Sequence, residues 1–97
     1  MENKIELKLD NTITQLVGNS YGQSVCKEQI CGKINFEQKN NVIVIPSNIT
    51  RVGISFIQGL IYALPKEIPR NEFYKYFSIQ GNESVKDKFR EVITMGI

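Results

Sequence analysis

The chain has 97 residues, enough for one domain with a modest core and too few for two. Hydrophobic residues make up 41% and charged residues 23%, an ordinary globular balance that excludes an intrinsically disordered chain. The net charge of +2 is too slight to imply a polyanionic partner, and the absence of histidine leaves zinc or iron without a plausible ligand set.

The opening "MENKIELKLD" alternates Ile5, Leu7 and Leu9 with Lys4, Glu6 and Lys8, the two-residue period of a strand with one buried face. It has no apolar stretch of the kind a secretory signal needs. Because the longest apolar runs are four or five residues, no membrane span is expected either, and the expected location is cytoplasmic. "DNTITQLVGNSYG" reads as loop, with a short second strand at Thr12 to Leu16. Val25, Cys26, Ile30 and Ile34 recur at three-to-five-residue spacing and predict a helix from Ser20 to Ile34. On such a helix, turning about 100° per residue, Cys26 and Cys31 point to different faces and do not bridge. They are expected to be buried thiols.

"NNVIVIP" predicts a strand over Val42 to Ile45, buried on both faces as in a sheet covered by helices on each side. Residues 46–53 follow as a loop. A helix then runs from Ser55 to Leu64 and is stopped by Pro65, with Ser55-Phe56-Ile57-Gln58 fitting a capping box. "FYKYFSIQ", Phe73 to Gln80, predicts a strand. In the last helix Val85, Phe89, Val92 and Ile93 form a narrow apolar stripe, with Asn82 or Ser84 accepting bonds from its first amides and Gly96 closing it. Strands alternating with helices imply an α/β fold with three to four mostly parallel strands and three helices.

The enzyme signatures fail one by one. Gly53-Ile54-Ser55-Phe56-Ile57 departs from the nucleophile elbow at Ile57, and no histidine or nearby lysine can serve as the base. The glycines form neither phosphate-loop pattern, and residues 40–65 contain no Asp or Glu for acid–base work. No catalytic residue, metal or cofactor is therefore expected. Arg70, Lys75, Lys86, Lys88 and Arg90 with Tyr74 and Tyr76 read as a solvated surface, since Asp87 and Glu91 are interleaved among them, so no nucleic-acid partner is expected.

Ser55 is the remaining position with chemistry. At a helix start its hydroxyl is either a cap or a place where a phosphate, carrying about −1.5 to −2 charges, would meet free amides and the positive end of the helix dipole. The following helix, Phe56 to Leu64, is apolar nearly all round, which sinks it in the core or leaves a face for another protein.

"NVIVIPSNITRVGISFIQGLIYAL" resembles the core of STAS domains, the fold of bacterial anti-sigma factor antagonists and of the tails of sulfate transporters, and is most similar to the small stand-alone STAS-like branch. "YFSIQGNESVKDKFREVITMGI" is similar to the closing strand and helix of that family, so the resemblance covers residues 21–97. It implies a STAS-like α/β fold over residues 1–97 and a non-enzymatic, regulatory protein-interaction module. Ser55 matches the serine phosphorylated by a partner kinase, an ATP-binding protein of the anti-sigma type. Asn48, Ile49, Thr50, Arg51, Val52, Gly53 and Ile54 would line the loop facing that partner, and Phe56, Gln58 and Gly59 would extend the surface. Where the antagonists read Asp-Ser-Ser-Gly, this chain reads Gly53-Ile54-Ser55-Phe56, and the acid often found at the end of the preceding strand is Ile45. A phosphate-independent adaptor or inhibitor, possible cargo of a mobile element, stays open as the alternative, as do a small ligand at the strand ends and either a monomer or a homodimer.

Overall fold

The computed structural model describes residues 2–95. In chain order these form β1 (Asn3–Glu6), β2 (Gln15–Leu16), α1 (Asn19–Val25), β3 (Asn41–Val44), β4 (Arg51–Val52), α2 (Ile54–Tyr62), α3 (Phe73–Tyr76), β5 (Phe77–Gln80) and α4 (Glu83–Thr94). A π turn (Cys26–Ile30) and a 3-10 turn (Cys31–Lys33) extend α1, and a second 3-10 turn (Arg70–Glu72) leads into α3. The fold is α/β with parallel sheets: β1, β3 and β5 pair in the order β1-β3-β5, and β2 pairs with β4 in a separate short ladder.

β3 takes the centre, its backbone paired on both edges, and its β-branched side chains suit the pleated, largely buried position. The register sets Ile5, Ile43 and Ile79 in one row, and this face meets the helices: Ile5 and Ile43 join Phe56, Leu60, Val85 and Phe89 in one core. The row before it contains Asn3, Asn41 and Phe77. Asn41 is buried, yet every polar atom of its side chain has a partner: its oxygen accepts from the Asn35 amide and Asn3 Nδ2, both at 2.7 Å, while Nδ2 donates to the carbonyls of Asn35 and Tyr76 at 3.0 and 2.9 Å. One side chain thus joins the start of β1, the turn before β3 and the start of β5.

Val42 and Ile43, on opposite faces, are both buried as the β3 run predicts, but the expectation of helices on each side of the sheet is corrected. The opposite face of the sheet carries exposed Lys4, Glu6, Ser78 and Gln80, with Val44 half-buried. Val42 is buried, but it stands in register with Lys4 and Ser78, outside the main core. The helices pack as a second layer on one side.

Helix α1 crosses α2 at unusually close range, because Gly22 lies against the backbone of Phe56 and Leu60, and Gly59 lies against the backbone of Asn19. A Cβ at either glycine would overlap a backbone carbonyl oxygen. The closeness lets Phe56, Ile57 and Leu60 bury completely, each such side chain contributing about 1.5–3 kcal/mol of apolar burial.

Three further expectations are corrected by tertiary packing. "FYKY" is a helical turn and only "FSIQ" is strand, because Phe73 is drawn into the core, its ring stacked 5.0 Å from Phe77 and 6.5 Å from Phe89. Aromatic strand propensity yields to that burial. Arg51–Val52, read as loop, forms β4 by pairing with Gln15–Leu16. Cys26 and Cys31 do not diverge: the Cys31 amide donates to the Cys26 carbonyl, five residues back, and the wider π turn brings the two sulfurs to 3.4 Å. The apolar stripe of α4 is placed as its spacing predicts, with Val85, Phe89 and Val92 fully buried and Ile93 packed against them. Gly96, expected to close that helix, lies outside the described residues.

Candidate functional site

The loop between β3 and α2 is held from two sides. Asn48 Nδ2 donates to the Ile13 carbonyl at 2.7 Å, the Thr50 amide to the Thr14 carbonyl at 2.8 Å, and the Gly53 amide to the Leu16 carbonyl at 2.8 Å. From the other side Asn82 Nδ2 donates to the carbonyls of Ser47 and Ile49 at 2.9 and 2.7 Å, and Ser84 Oγ to that of Thr50 at 2.8 Å. The sequence predicts a side-chain cap on α4 from Asn82 or Ser84. Their side chains instead satisfy loop carbonyls, and no side-chain cap bond forms on α4.

This clamping decides where α2 begins. Gly53 has extended backbone (φ −80°, ψ 154°) and its carbonyl accepts the Ile57 amide at 3.3 Å, so Gly53 is the cap residue and Ile54 the first helical residue. The capping box at Ser55 is therefore corrected: Ser55 occupies the second position of the helix, is exposed, and makes no capping bond. The first turn contains no acidic residue, so the positive end of the helix dipole meets no carboxylate of its own.

The remaining candidates divide by exposure. Thr50, Arg51 and Ile54 are exposed, and Asn48, Gly53 and Gln58 are partly so. Phe56 is fully buried, its ring edge-on to Tyr21 at 5.5 Å, and Gly59 lies beneath α1; these two support α2 and offer no side chain to a partner. Most of the apolar face of α2 is spent in the core, with Ile54 and Tyr62 left outside. Val17, 55% exposed, stands beside Gly53, the residue that precedes Ile54.

Tertiary structure adds residues the sequence did not suggest. Thr50, Arg51 and Gly53 line one wall of a groove of about 370 Å³, whose other walls come from Gln15, Val17, Ser84 and Lys88. Arg51 and Lys88 give it two cationic side chains, Lys88 being 3.6 Å from Glu91. Lys88 looked like one more charge on a solvated face, and no sequence signal set it apart. In the turn before β2, hydrogen bonds from the Thr12 amide and then its hydroxyl hold the exposed Asp10 carboxyl below its ordinary value. Among the described residues no group of three or more acidic or cysteine side chains is gathered as a metal would require, and no helix is long and apolar enough to cross a membrane.

No family model, curated protein or solved structure matches the chain.

Proposed function

We propose that the chain is a STAS-like, non-enzymatic interaction module that docks an ATP-binding kinase of the anti-sigma type through Asn48, Thr50, Arg51, Gly53, Ile54 and Gln58, the accessible members of the loop and helix start, and is switched by phosphorylation of Ser55. The buried Ile49, Val52, Phe56 and Gly59 support that surface from beneath. The observation that carries this reading is the position of Ser55: exposed, at the second residue of α2, with its hydroxyl engaged in no cap and no acid in the turn around it. A phosphate there would add about −1.5 to −2 charges beside unpaired amides, where an anion is stabilised. The same charge would stand next to exposed Ile54, its neighbour in the chain, so it would disfavour a partner that covers apolar surface. Attachment and release then share one location.

The test incubates the chain, Ser55→Ala and Ser55→Asp with a purified anti-sigma-type kinase and ATP. Phosphate is expected on the unsubstituted chain alone, with the Ser55→Asp variant binding about tenfold or more weakly, equivalent to about 1.4 kcal/mol. Equal binding of all three with no phosphate incorporated would leave the alternative of a phosphate-independent adaptor, for which Ile54 and Val17 are the contact surface.

A further inference from the structure

Independently of that reading, we infer that Cys26 and Cys31 are a reversible thiol–disulfide site, oxidised by exchange with a low-molecular-weight disulfide. Two observations carry it. The sulfurs are already in contact at 3.4 Å, and a bond requires them to close by roughly 1.4 Å. The contact is also built into the backbone: residues five apart in an ordinary helix diverge, whereas the hydrogen bond from the Cys31 amide to the Cys26 carbonyl stacks them on one face. The flanking geometry is tied down as well, since Gln29 Oε1 accepts the Lys8 amide at 2.6 Å and Gln29 Nε2 donates to the Lys8 carbonyl at 3.0 Å.

The two thiols differ in access, which orders the chemistry. Cys31 is half-buried, while Cys26 is fully buried. The Cys31 thiolate attacks one sulfur of a disulfide RSSR, forming a mixed disulfide and releasing RS⁻. Cys26 then gives up its proton to solvent and attacks the Cys31 sulfur, expelling the second RS⁻ and closing the ring. The balance is one protein dithiol and one RSSR converted to one protein disulfide and two RSH. Burial, and next the neighbouring Cys31, push the Cys26 thiol well above its ordinary value, so Cys26 attacks slowly and serves as the resolving thiol. Oxidation also withdraws the Cys31 S–H from the Ala63 carbonyl, 3.4 Å away at the end of α2.

The test exchanges the reduced full chain with oxidised glutathione under native conditions, alkylates the remaining thiols, and reads intact mass and peptide masses. The expected product is a monomer with a Cys26–Cys31 cross-link, no retained glutathione and complete loss of alkylatable thiol. Cys26→Ser is expected to stop as a glutathione adduct on Cys31, and Cys31→Ser to take up none while folded. Cys26→Ala is run alongside, with circular dichroism on each variant before exchange, and the unsubstituted chain decides the matter alone. If it keeps both thiols, rests as a mixed disulfide or cross-links only between chains, the inference is overturned.

Discussion

Gly22 lies against the backbone carbonyl of Phe56, so the two principal helices touch main chain to main chain where they cross. Any side chain there must push the helices apart or distort them. Gly22→Ala and Gly59→Ala are each expected to lower stability by about 1–3 kcal/mol in urea unfolding, despite the better helix propensity of alanine. Gly32 has open space around it, so Gly32→Ala should change stability by less than about 1 kcal/mol.

Among the described residues Asn41 is the one buried polar side chain, and it holds four hydrogen bonds in the sheet. Replacing it with leucine leaves the Asn35 amide and the Tyr76 carbonyl to find new partners in poor surroundings. A loss of about 2–4 kcal/mol is expected, since each buried group left unpaired costs about 1–3 kcal/mol. A stable Asn41→Leu protein would show that water replaces the side chain.

Asn82→Ala removes the donors to Ser47 and Ile49. Its effect should be local: amide exchange faster by about tenfold or more in residues 47–53, with the core of α4 unchanged, because loops open below the free energy of global unfolding. Uniform loss of protection across the chain would instead place Asn82 in the global stability.

The Cys26 thiol is raised from an ordinary value of 9.0, chiefly by burial, then by the hydrogen bond and charge of Cys31, with Lys27 opposing. The unfolded chain therefore releases this proton at lower pH than the folded one. Stability from this group is present below about pH 9 and is lost as pH rises beyond it. Urea melts in reductant from pH 8 to 10 should show a steeper fall for the unsubstituted chain than for Cys26→Ala.

Ser55→Asp should raise stability by about 0.3–1 kcal/mol at low ionic strength, and Ser55→Lys should lower it by a similar amount, because the charge meets the positive end of α2. Both shifts should shrink in salt. Equal thermal stability of the two variants would mean that the dipole is not felt at this position.

The locally encoded parts of the molecule are legible in the sequence. β-branched clustering marked β3, two-residue alternation marked β1, and the four-residue spacing of Val85 and Phe89 marked α4, because each pattern reports how one segment meets one apolar surface. Ser55 could be singled out in the same way, as a hydroxyl beside a helix start. Its part in that helix could not. Whether Gly53 or Ser55 caps α2 depends on the Gly53 amide meeting Leu16, a residue far away in the chain. The same holds for Lys88 and Arg51 lining one groove, for the aromatic turn at Phe73 and for the second face of the sheet, where Lys4, Glu6, Ser78 and Gln80 are exposed. The contact between Cys26 and Cys31 is a shorter-range case, hidden because helix periodicity assumes the ordinary pitch and the π turn breaks it. Composition and periodicity by themselves determined which segments turn apolar faces inward. Only the tertiary structure decided what those faces meet, since hydrogen-bond partners and close backbone approaches are set by residues that sequence distance keeps apart.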